Sequence, residues 1–351
     1  MKRSNKTFAW RIGRFAIAFG SSALVLASPA RAEDLLSADT LSTLVEPLAV
    51  EIGDTTFTLR GAIDQAAHYN NDTEEWSART TGDFEVAAET QTDNQLTIQL
   101  SYSGEYKSDP GSITDVGFSE GEENYTQEFK GSVGSAWGTL VGGNVNDTVA
   151  NMTSRRQMTG NSALAFENNF GTLGDWVGGY SGRFGPAVIA VIADEDANVD
   201  AGFRWSRPLG DRDIGFGARA TWGEFTSQDG TTSFDTTGIK LMTDMIYGST
   251  LFDLGLGYEV LDSSKTDVTR AYVSGGVQHK TGALTLSLHG HYGVLDGNEE
   301  ISASLGGRYD IARGLSANLG VNYARLNANV DGVELVNKDA TETVLSMRYG
   351  F

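Results

Sequence analysis

The 351-residue chain contains no cysteine. That excludes disulfides, thiolate-bound metals and a cysteine nucleophile. Proline is scarce, at 5 residues, and the 43 glycines show no Gly-X-Y period, so a collagen-like rod is excluded. Basic side chains are outnumbered: 26 Lys and Arg stand against 46 Asp and Glu, a net charge of −20. With a pI of about 4.5, a nucleic-acid partner is excluded, because phosphate binding needs a basic surface. Beyond the leader, no stretch approaches the ~18 consecutive apolar residues of a transmembrane helix. P-loop, GxSxG, HExxH and EF-hand patterns are all missing. The mean hydropathy of −0.25 resembles that of a soluble protein, but a β-barrel conceals its membrane face in alternate residues.

The N-terminus reads as an address. Lys2, Arg3, Lys6, Arg11 and Arg14 precede an apolar run from Phe15 to Ala27, and Ala30-Arg31-Ala32 supplies a small-residue exit before Glu33. This order is that of a secretory signal peptide over residues 1–32. The run is too short for a comfortable membrane anchor. Removing the leader leaves 20 basic against 46 acidic residues. Residues 33–52, with Leu35, Leu36, Leu41, Leu44, Val45 and Leu48, form a segment ahead of the repeating pattern. A periplasmic helix, a plug-like lid and a loose tether all fit it. Residues 53–351 form the remaining domain.

From Phe57 onward, period-two alternation replaces helical periodicity. Leu96/Ile98/Leu100/Tyr102, Phe252/Leu254/Leu256/Tyr258 and Leu315/Ala317/Leu319/Val321/Tyr323 are clean examples, with Ser, Thr, Gly, Asn or charge between them. Such strands carry one apolar and one polar face. Sixteen can be counted. Ala187–Ala193 is apolar on both faces, which leaves its register open. Short connections alternate with mostly longer polar ones at 70–80, 108–123, 146–175, 227–235, 262–267 and 327–340. Aromatics gather at both ends of the apolar face, for example Trp137, Trp205, Tyr247 and Tyr309 at one end and Tyr69, Trp222, Tyr258 and Tyr292 at the other. Two such girdles bounding an apolar band suit a lipid-facing, antiparallel, up-and-down β-barrel. A soluble sandwich would also alternate, without that reason for two girdles.

The chain ends Arg348-Tyr349-Gly350-Phe351, with the last residue on the apolar parity. Thr58-Leu59-Arg60-Gly61-Ala62-Ile63-Asp64 and Trp137-Gly138-Thr139-Leu140-Val141-Gly142-Gly143-Asn144 are two further motifs. In these features the chain resembles the Gram-negative outer-membrane general porins, which are sixteen-stranded trimers. The resemblance spans about 57–351. It implies a water-filled channel for passive diffusion of small hydrophilic solutes and ions, with no catalytic turnover. It also implies a homotrimer in outer-membrane lipid and lipopolysaccharide, with Phe351 read by the barrel-assembly machinery. Two departures stand out: the Pro-Glu-Phe signature of enteric porin loops is missing, and Arg60 replaces the usual tyrosine.

In that family the third loop folds inward and narrows the bore. Here it is residues 146–175, carrying Asp147, Arg155, Arg156, Glu167 and Asp175. By the same resemblance, Asp147 and Glu167 are the candidate acidic side of a constriction and Arg60, Arg308 and Arg348 its basic wall, since first and last strands become neighbours on closure. Arg155 and Arg156 are further constriction candidates. Glu128, Lys130, Arg204, Arg219 and Arg270 have lumen parity and are candidate lumen charges. Ser287, His289 and His291 share one strand face, so half a metal site or a hydrolase pair remains open beside plain lumen filler. Asp115, Glu120, Glu122 and Glu123 cluster in one loop, where hard oxygen ligands suit Ca²⁺ or Mg²⁺. A substrate-specific channel, a lipid hydrolase and a non-conducting adhesin are the alternatives.

Overall fold

A computed structural model describes residues 47–71, 74–108, 125–144, 148–155, 158–171, 173–227, 230–264 and 266–351. All belong to the compact unit Leu44–Phe351. The leader, residues 33–46, Asp147, Arg156 and the acidic cluster Asp115, Glu120, Glu122 and Glu123 lie outside the described residues.

Among the described residues, seventeen strands form one antiparallel sheet. They are β1 (Leu48–Ile52), β2 (Thr55–Asn70), β3 (Glu75–Gln91), β4 (Thr97–Lys107), β5 (Tyr125–Ser135), β6 (Gly138–Gly143), β7 (Val177–Phe184), β8 (Ala187–Asp194) and β9 (Val199–Leu209). The second half holds β10 (Arg212–Thr226), β11 (Ser233–Tyr247), β12 (Thr250–Asp262), β13 (Asp267–Thr281), β14 (Leu284–Leu295), β15 (Asn298–Ala312), β16 (Leu315–Val330) and β17 (Val333–Gly350). One short helix, α1 (Thr148–Thr153), lies between β6 and β7.

Each strand from β2 to β17 pairs with its sequence neighbour, and β17 pairs with β2, which closes a sixteen-stranded barrel. Closure sets Arg348 opposite Asp64 and Tyr349 opposite Ile63. Phe351 completes it with two backbone bonds to Gly61, each 2.9 Å. Closure leaves no free edge among these strands, so the backbone groups of the ladder are satisfied within the membrane.

The alternation is realised as read. Leu286, Leu288 and Tyr292 of β14 point outward and are 50%, 58% and 47% exposed, while Ser287, His289 and His291 point inward and are buried. On the tight-turn side, Gly248 has φ 57° in the two-residue turn joining β11 to β12, a conformation that suits a hairpin.

Three expectations change. Residues 70–80 and 327–340 are not long loops: β3 starts at Glu75, and β16 runs to Val330. The β16–β17 hairpin turns on Asp331-Gly332, both at positive φ, the Asp-Gly pairing of a tight type I′ turn. Both stretches continue the ladder, and Leu335 and Val336 of the second are buried inside the barrel. Residues 48–52, assigned above to a separate segment, are strand β1. It pairs with Thr55–Leu59 of β2, the stretch of the β2 edge below the Phe351–Gly61 bonds, and so continues the track of β17.

Candidate functional site

Between β6 and β7, the described residues 148–155, 158–171 and 173–176 include a segment that lies inside the barrel against its inner wall. The first limb carries α1. Val149 of this helix is fully buried and packs with Val141, Val177, Ala190 and Ile192 of the wall. This explains the two-faced apolar run of β8: Ile189 and Val191 are about two-fifths exposed on the outside, while Ala190 and Ile192 receive the helix.

Arg155 follows the helix. It forms ion pairs with Glu167 of the same loop and with Asp253 of β12, and its side chain is 1% exposed. His289 Nδ1 accepts from its Nη1 at 3.4 Å. Burial works against the charge, but Glu167 and Asp253 outweigh it and raise the guanidinium above its ordinary value.

The tip of the loop, residues 159–165, is hydrogen-bonded to β15, β16 and β17. Asn161 N donates to Leu319 O at 3.3 Å, and Asn161 Nδ2 donates to Ser346 Oγ at 3.0 Å. Ser346 Oγ in turn donates to Asp64 Oδ2 at 3.1 Å. Ala163 N donates to Asn322 Oδ1 at 3.0 Å and Ala165 N to Ser302 Oγ at 3.1 Å.

Arg270 of β13 grips the returning limb. Its guanidinium donates to the carbonyls of Phe166 and Asn168, the latter at 2.7 Å. Glu300 accepts from its Nε at 2.9 Å and from its Nη2 at 2.7 Å. The rings of Phe170 and Tyr272 lie 4.0 and 4.4 Å from its central carbon, within cation–π range. Beside it, Glu259 accepts from Phe170 N at 2.9 Å and Gly171 N at 3.0 Å. Wall and loop therefore exchange charge for backbone dipoles in a dry site, where such bonds are strong.

Above this clasp the interior is apolar. Phe166 and Phe170 of the loop pack with Phe225, Phe234, Leu261, Val268, Leu295, Leu326 and Leu335. These wall residues share the lumen parity of their strands or lie at its loop-side end. They are apolar because the loop covers them.

Two charged cavities lie inside the barrel. A cavity of about 970 Å³ is lined by Asp64, Asn161, Arg204, Arg308, Asn318 and Arg348, among others. A second, of about 790 Å³, is lined by Arg60, Asp83, Glu85, Glu105, Glu128, Arg308 and Arg348. Arg308 and Arg348 border both. The three wall arginines read from the sequence are thus brought together. Each has a carboxylate beside it: Arg60 pairs with Glu85, Arg348 reaches Asp83 at 3.4 Å, and Arg308 reaches Asp310 at 2.7 Å.

Arg155 is placed differently from the expectation. Its side chain is 1% exposed and paired to Glu167, while that of Glu167, 18% exposed, borders the first cavity together with Arg308 and Arg348. The carboxylates that line the second cavity with the arginines come from β3–β5. Of the lumen charges, Arg270 and Arg219 are buried beneath the loop, Arg219 in a pair with Asp200 at 2.8 Å. Arg204 pairs with Asp244. Glu128 accepts from Ser103 at 3.3 Å, and Lys130 is half-buried on β5.

Sequence reasoning passed over Asp253, Glu259 and Glu300. The signal was available in their lumen parity, Asp253 between Phe252 and Leu254 and Glu259 between Tyr258 and Val260. Ser287 lies 3.2 Å from the Ser162 hydroxyl, and His291 Nε2 is 2.6 Å from Glu300. His289 faces Arg155. Each of the three is therefore engaged in holding the loop or its clasp.

No protein-family model matches the chain, and no curated protein matches it in sequence. Solved structures do. OmpT, an outer membrane protein of Vibrio cholerae in its trimer form, is 13% identical, with a TM-score of 0.65 over 85% of this chain and 99% of that one. An anion-selective porin from Comamonas acidovorans is 13% identical, with a TM-score of 0.61 over 85% and 100%. A triple mutant of the Rhodopseudomonas blastica porin is 14% identical, with a TM-score of 0.56 over 84% and 100%. At this identity the likeness is one of fold: the chain is a β-barrel of the bacterial outer-membrane type.

Proposed function

We propose that the protein is an outer-membrane porin, a passive, water-filled channel for small hydrophilic solutes and ions. The observation that carries this reading is a pair of neighbouring charged cavities inside the barrel, one lined by the inward loop with β2, β9 and β15–β17 and the other by β2–β5 with β15–β17. They share Arg308 and Arg348 as lining residues. A barrel of sixteen strands is wide enough for an aqueous bore, and charges at its narrowing set selectivity. Arginines on β15 and β17 and carboxylates on β3–β5 line the same cavity, so both signs of charge set the local field there. Small dipolar solutes suit such a field.

The reading extends to a homotrimer in outer-membrane lipid and lipopolysaccharide, delivered by the barrel-assembly machinery. The trimer form of the Vibrio cholerae neighbour supports the first part. The engagement of Ser287 with Ser162, rather than with a histidine, supports transport without turnover.

Refolded protein in a planar bilayer tests the proposal. Large stepwise conductance, with a reversal potential in a salt gradient that reports ion preference, is the expected result. A heat-modifiable barrel that passes no current would overturn it.

A further inference from the structure

The tip of the loop meets the wall backbone to backbone, and glycine makes this approach possible at three points. A methyl group on Gly320 of β16 would overlap the carbonyl of Asn161. One on Gly306 of β15 would overlap the carbonyl of Thr159 and come 2.6 Å from Ser287 Oγ. From the loop side, Gly160 has φ 64°, and a methyl there would overlap Gly307 O and come 2.6 Å from Leu319 O. The same tip is bonded to the wall through Asn161, Ala163 and Ala165. Its other side, at Thr159, Gly160 and Asn161, lines the 970 Å³ cavity. Any increase in the distance between loop and wall is therefore taken directly from that cavity.

We infer that Gly160, Gly306 and Gly320 are the residues that set the bore, by fixing how closely the constriction loop lies against the β15–β16 wall. The inference rests on the channel reading above. Close-packed surfaces transmit such an overlap as displacement rather than absorb it. A single methyl at either wall position would lift the tip by about 1 Å, the shortfall from normal contact distance. The arginine clasps on either side, at Arg155 and Arg270, hold the limbs, so the displacement is confined to the tip and directed into the lumen.

The test compares Gly320→Ala, Gly306→Ala and Gly160→Ala with Gly290→Ala. Gly290 has open space around its added methyl and lies on the outward face of β14. Gly160→Ala changes the loop alone, so it tests the seat even if a wall variant does not fold. The chain has no cysteine, so spin labels at Met158→Cys and Ser103→Cys report the gap between the loop and β4 in each background. The three seat variants are expected to shorten that distance, to lower unitary conductance about twofold and to exclude smaller polyethylene glycols. Gly290→Ala is expected to match wild type in all three measurements. Folded seat variants with the wild-type distance and wild-type conductance would overturn the inference. A shortened distance in a barrel that conducts nothing, wild type included, would support the seat and count against the channel reading.

Discussion

Arg155 and Asp253 stand 98 residues apart in the sequence and close an ion pair inside the barrel, with both side chains 1% exposed. One comes from the inward loop and the other from β12. The pair ties the piece of chain that narrows the lumen to the wall that surrounds it. Neither charge is presented to solute, so the role of this pair is positional.

Asp253→Asn should therefore loosen the loop without opening the barrel. Breaking one partner of a buried pair costs about 3–5 kcal/mol locally. Faster amide exchange at Ala163 and Ala165, with an unchanged heat-modifiability shift on gels, is the expected outcome. Unaltered exchange at those amides would show that the pair does not hold the loop.

Arg270→Lys tests the second clasp. Lysine carries the charge but not the planar fork that binds Glu300 while reaching two loop carbonyls. The variant is expected to fold and to show larger open-channel current noise than wild type. Noise equal to that of wild type would show that charge alone suffices there.

Arg348 is about half exposed and borders both cavities. Arg348→Glu places a third carboxylate beside Asp64 and Asp83. In a tenfold salt gradient the reversal potential should move toward cation preference, and Arg308→Glu should move it in the same direction. A potential unchanged by both would place the selective narrowing elsewhere.

Phe351 seals the barrel through two backbone bonds to Gly61. Deleting it removes both bonds and reopens that part of the β2 edge, and an open edge in lipid leaves polar groups unsatisfied. The yield of heat-modifiable barrel should fall several-fold, read by gel shift after refolding, whereas Phe351→Tyr should retain most of it. Equal yields for wild type and the deletion would mean that closure does not depend on this residue.

Much of the barrel was legible because a membrane strand must alternate. Leu254 and Asp253, or Leu288 and His289, declare their faces by chemistry alone. The wall arginines Arg60, Arg308 and Arg348 could be grouped because closure makes first and last strands neighbours. Alternation misled where a second environment covered the inner face. Leu261, Val268 and Leu295 have lumen parity yet are fully buried, and nothing near them in sequence announces Phe166 or Phe170. The stretch 333–340 read as loop because Asn337, Lys338 and Asp339 follow one another there, although its backbone continues the ladder and Leu335 and Val336 are buried inside the barrel.

The sequence by itself determined an antiparallel barrel and its strand number, whereas the inward loop was expected only from the family resemblance. The barrel and its strand number follow from local rules, since a period of two and the length of the apolar band need no knowledge of distant residues. Only the tertiary structure decided which charges face water and which serve as anchors. Arg155, Glu167, Arg219 and Arg270 look no different in sequence from Arg308 or Arg348. The path of the loop over the wall buries Arg155, Arg219 and Arg270, ties Glu167 to Arg155 and leaves Arg308 and Arg348 lining the cavities. That path depends on contacts such as Arg155 with Asp253 and Asn161 with Leu319, which join residues roughly a hundred or more positions apart.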